Sequence, residues 1–277
     1  MSDSVALEWG SAFIGLIVSL GMYGVALGQY GFYTRSFPHD RKALKLMVLL
    51  VFIMDTLHTY GAISYQWALL VWCHHSPSSA CMSVLPWEIL MASVISFCLT
   101  FAVQSFYAHR VWIISGRNKL ITSAVLLTAF VQLVLGLICL GNAISTKSVA
   151  ALYTSVFTCG TSAVASALCD LLITGSIFFY LHPKRSGVRR SGSAIQQLTN
   201  VTVNMGLFTC LLSLALAVLF VTQKGSYLVG APGTFIAKSY VNSLLAVLNA
   251  RRSMRESVAQ TFALSTIAVT RDATETP

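Results

Sequence analysis

Seven stretches of about twenty or more predominantly apolar residues recur along the 277-residue chain, at 10–33, 46–70, 87–107, 120–140, 153–181, 201–221 and 228–248. Their length is the constraint. A bilayer's hydrocarbon core of about 30 Å, divided by a rise of about 1.5 Å per residue, needs a helix of about 20 apolar residues. Only short segments separate the seven. Composition agrees: 56% of the residues are hydrophobic and 10% charged, against about 25% charged in a soluble domain, which leaves too little polar surface to coat a water-soluble particle. All six prolines fall in loops, at the starts of stretches or at the chain end, where a residue that breaks helix interiors is tolerated. The expected fold is all-α, a seven-helix transmembrane bundle over residues 1–252 with a flexible cytoplasmic tail at 253–277.

A net charge of +9 on one soluble face would point to nucleic acid, but the basic residues fall in alternate loops. Fifteen of the eighteen Lys and Arg lie in the first, third and fifth connections and the tail, including Arg110, Lys184, Arg185, Arg189, Arg190, Arg251 and Arg252. Cytoplasmic loops retain such residues. The expected topology therefore has the N-terminus outside and the C-terminus in the cytoplasm, in the plasma membrane or another secretory-pathway membrane, with no nucleic-acid partner. These basic anchors meet anionic lipid headgroups or dock a cytoplasmic partner protein, and both readings stay open. Asp3 and Glu8 precede the first stretch and no Lys or Arg does, which predicts a retained anchor and not a cleaved signal peptide. Cys73 and Cys81 share one outer loop, as a disulfide or as two free thiols.

Four ionisable residues lie inside the stretches: Asp55 and His58 in the second, Asp170 in the fifth and Lys238 in the seventh. A charge at mid-membrane costs about 2.5 to 3.5 kcal/mol on insertion scales, so such groups face the bundle interior. At about 100° per residue, Thr234, Lys238, Asn242 and Asn249 share one face of the seventh helix. Ser162, Ser166, Asp170 and Thr174 share one face of the fifth, and Asp55, His58, Thr59 and Gln66 one face of the second. Lys238 countered by Asp170 or Asp55 predicts a polar centre. Its candidate site residues are Asp55, His58, Asp170, Lys238 and Asn242, holding a small-molecule or lipid ligand in a receptor-like or sensor-like bundle. The alternative is a proton- or ion-coupled transporter or channel. A membrane-embedded enzyme is disfavoured, because no three histidines share a depth, and neither a metal nor a cofactor is expected. A buried structural ion pair is the plainer reading. Gly24 and Gly28 form a small-xxx-small pair, expected to serve packing within the bundle, with homodimerisation as the alternative.

Three stretches, "FPHDRKALKLMVLLVFIMDTLHT" from Phe37, "AHRVWIISGRN" from Ala108 and "AKSYVNSLLAVLNAR" from Ala237, resemble an uncharacterised family of multi-pass membrane proteins. That family is abundant in mushroom-forming basidiomycete fungi and is defined by a domain of unknown function. The resemblance spans most of the chain from the first stretch to Arg252. It implies a seven-helix membrane protein and brings no established activity.

Overall fold

A computed structural model describes residues 2–72, 85–149, 151–152, 155–181, 192–222 and 229–275. Among them, seven long helices follow one another. They are α1 (Ser2–Ser36), α2 (Lys42–Trp67), α3 (Trp87–Ile114), α4 (Lys119–Thr146), α5 (Thr161–Leu181), α6 (Gly192–Thr222) and α7 (Gly230–Glu275). Two single π-helical turns extend this set, Ala68–Trp72 at the end of α2 and Val156–Gly160 at the entry to α5. The ends of α4 show how the sequence punctuates them. The Asn118 side chain accepts the amides of Leu120 and Ile121 at 3.0 and 3.4 Å, satisfying two of the unpaired donors of a helix start. Ahead of it, Gly116 holds a φ of 67°, a left-handed turn that glycine enters without steric cost.

Six of the helices are long and apolar enough to cross a membrane, α1 to α6. Their outward faces are apolar: Ile14, Leu27, Leu127, Phe130, Leu211 and Val218 are all exposed. Apolar surface on this scale is rare on a water-soluble monomer and suits a lipid surround. The helix α7 is not among the six. Its membrane-length part carries Lys238, Asn242 and two serines, and residues 236–245 are buried without interruption. Ten consecutive buried residues cover every side of a helix, and α1, α2, α3 and α6 pack around it. Its neighbours shield it from lipid, so its polarity is turned toward protein.

The helices follow in sequence around the bundle, with α7 closing between α6 and α1, and α3 also touching α5 and α7. A Cβ on Gly15 would come 2.8 Å from the Ala231 backbone, so α1 and α7 approach closely there. The expected packing role of the Gly24 and Gly28 pair is not what the bundle uses, because a Cβ at either would meet nothing within 4 Å.

Candidate functional site

Lys238 is fully buried and points at α2, where its ammonium has three acceptors. It donates to Asp55 Oδ1 at 2.6 Å, to the Asp55 carbonyl at 2.7 Å and to the Thr59 hydroxyl. An ammonium has three N–H groups, and all three are used. Thr59 in turn donates to the Asp55 carbonyl at 2.7 Å, and the Tyr23 ring of α1 lies 4.9 Å from the ammonium, within cation–π range. Of the two carboxylates the sequence offers to Lys238, the structure joins it to Asp55.

Asp170 faces the other side of α7. Its Oδ1 accepts from Gln104 Nε2 at 3.1 Å and its Oδ2 from the Tyr240 hydroxyl at 2.7 Å. The Tyr240 hydroxyl also lies 2.8 Å from Ser166 Oγ, and Tyr107 lies 2.8 Å from Ser243. Lys238 and Tyr240 are two residues apart, about 200° around a helix, and so reach opposite neighbours. Beside Asp170 lies a void of about 10 Å³ lined by Tyr107, Thr174, Thr209 and Ser243, room for about one water. Asn242 binds neither carboxylate: its Nδ2 donates to the Met22 carbonyl of α1 at 3.0 Å and to the Lys238 carbonyl at 2.9 Å. The Asn249 amide likewise meets the Gln29 carbonyl at 2.9 Å. Polar side chains of α7 thus tie it to α1, α2, α3 and α5.

A cavity of about 180 Å³ opens at one end of the bundle. Its walls come from the N-terminal parts of α1, α3, α5 and α7 and the C-terminal parts of α2, α4 and α6, so successive helices alternate in direction. Most of the wall is apolar, including Leu16, Ile89, Phe97, Leu216 and Phe220. Three buried wall residues carry polar atoms with no hydrogen-bond partner among the described residues: His58 Nδ1, Gln66 Nε2 and Gln132 Oε1. Buried polar groups without partners are uncommon, and nine further such atoms lie on described residues away from the cavity. Of the five candidate residues from the sequence, His58 alone lines it. Asp55 and Lys238 are paired beneath it, Asp170 belongs to the network on Tyr240, and Asn242 holds α1.

Cys139 and Cys159 also line the cavity and are joined as a disulfide with a Cα–Cα distance of 5.8 Å, pinning the π turn before α5 to α4. Sequence reasoning missed this pair because both cysteines sit inside apolar stretches. Cys73 and Cys81, and the basic residues Lys184, Arg185, Arg189 and Arg190, lie outside the described residues. At the end away from the cavity, Arg251 grips Asp40 at 2.7 Å and lies 4.4 Å from the Phe37 ring centroid. Arg252 pairs with Glu256 at 2.8 Å, and the half-buried Arg110 lies 5.9 Å from the Phe106 ring centroid.

These features define a helical, membrane-type protein with a polar interior built around its last helix. Residues 166–253 match a family of unknown function, DUF6534. No curated protein and no solved structure matches the chain. The matched segment contains Asp170, Lys238, Tyr240 and Arg251, while their partners Asp55, Gln104 and Asp40 lie outside it.

Proposed function

We propose that this chain is a seven-span membrane sensor that binds a small molecule or lipid in the cavity and reports its occupancy through α7. In this reading α7 is the seventh span, the N-terminus is outside and the C-terminus is cytoplasmic. The observation that carries the reading is the cavity of about 180 Å³ with three unpartnered polar atoms among its wall residues. Two features support the orientation. The basic residues Arg35, Arg41, Arg117, Arg251 and Arg252 stand at the end opposite the cavity, which the positive-inside rule assigns to the cytoplasm. The Cys139–Cys159 disulfide stands at the cavity end, and disulfides persist on the oxidising side of secretory membranes.

The route to the cytoplasm runs along α7. Ser166 lines the cavity and bonds Tyr240; His58 lines it one helical turn from Asp55, the partner of Lys238. An occupant touching Ser166 and His58 bears on the partners of both α7 side chains, and α7 ends its buried stretch at the Arg251–Asp40 clasp. Conformational signalling needs an element that two sites bias together, and the contacts of α7 with both ends support it as that element. Against the transport alternative, Asp55 and Lys238 are both fully buried and close on each other, which ties up two of its four ionisable residues.

Native mass spectrometry of the full chain extracted from its own membranes tests the reading. A bound small molecule or single lipid is expected on the wild type and not on Ala163→Phe, which fills the cavity from α5. Proton flux into reconstituted vesicles that disappears in Asp55→Asn would replace the sensor by the transporter.

A further inference from the structure

Resting on the reading of this cavity as a binding site, we infer that its ligand is an uncharged, mainly apolar molecule. It is about the size of one ring with a few further atoms. Charge is decided by the wall. Among the described residues lining the cavity there is no Lys, Arg, Asp or Glu. Beneath the wall, the Lys238 ammonium has no N–H left over, Asp55 is paired with it through Oδ1, and Asp170 takes Gln104 and Tyr240. A ligand carrying a carboxylate, phosphate or ammonium would lose its hydration and meet no Lys, Arg, Asp or Glu among the described wall residues, which disfavours it.

Size follows from the volume. A cavity of about 150 Å³ accepts benzene, so about 180 Å³ accepts a ring with a few more atoms. A long acyl chain or a two-chain lipid is too large to lie within it.

A set of near-isosteric probes tests this: cyclohexylmethanol, cyclohexylmethylammonium and cyclohexanecarboxylate, with 1-hexadecanol for length. Each is titrated by saturation-transfer NMR onto the full chain in nanodiscs, with empty nanodiscs subtracted. Cyclohexylmethanol is expected to bind the wild type and to lose about tenfold or more of its affinity in Ala163→Phe and in Ala92→Phe. Both ions are expected to bind about tenfold or more weakly than the alcohol. An ion, or the long alcohol, bound more tightly than cyclohexylmethanol and displaced by the filling substitutions overturns the inference and leaves the binding site standing. If no probe responds to either filling substitution in variants whose circular dichroism matches the wild type, the cavity reading falls together with the inference.

Discussion

Lys238 Nζ lies 2.6 Å from Asp55 Oδ1, with both side chains fully buried, so the bundle closes a helix contact between residues 183 positions apart with a charge pair. Removing one partner of such a pair strands the other. Lys238→Met is expected to destabilise the purified protein by about 3 to 5 kcal/mol. The double variant Asp55→Leu with Lys238→Met should recover most of that loss, because apolar replacement of a whole buried pair is often neutral. Thermal unfolding of the four members of the cycle in one detergent measures it. Additive losses would mean that the two residues do not act as a pair.

The network on Asp170 ranks two tyrosines. Tyr240→Phe removes the hydroxyl shared by Asp170 and Ser166 and should cost about 1 to 3 kcal/mol. Tyr107→Phe removes a bond to Ser243 and should cost about 1 kcal/mol. Equal losses, or the reverse order, in unfolding experiments would contradict the central place given to Tyr240.

Cys139 and Cys159 enclose a loop with a sequence separation of 20 residues, for which a cross-link contributes about 3 kcal/mol. Peptide mapping without reductant should recover the two cysteines in one linked fragment. Cys159→Ser should lower the unfolding temperature and leave Cys139 open to alkylation. Full labelling of both thiols in the unreduced wild type would show that the bond is not made.

Gly15 and Gly24 should behave as opposites. Gly15→Val drives side-chain atoms into the Ala231 backbone and is expected to cost about 1 to 3 kcal/mol by overpacking. Gly24→Val meets open space and should leave the stability of the detergent-solubilised monomer nearly unchanged. Thermal unfolding of the two variants in parallel reads the difference.

Much of the architecture was legible in the chain. Apolar length marks α1 to α6, and helical spacing turns Asp55, His58, Thr59 and Gln66 inward together, as it does Ser162, Ser166, Asp170 and Thr174. Spacing within a helix says nothing of rotation between helices. The sequence therefore left Lys238 between two carboxylates that lie on different sides of α7. The partners Gln104 and Tyr240 carried a signal that attention to charge passed over: a glutamine in the middle of an apolar helix needs a bond as surely as an aspartate does. Gln132 carried the same signal. Gly24 and Gly28 misled because a spacing that permits close approach does not say which face is approached. The cavity itself has no linear signature, since its walls come from seven helices and its volume is what their side chains fail to fill.

The burial of α7 from every side makes the first six helices depend on it. Until α7 packs, they leave a groove between them and Asp55 lacks the counter-ion that Lys238 supplies. A chain cut short before Gly230 would carry that exposed acid into the membrane permanently, a plain mark by which an unfinished molecule differs from a finished one.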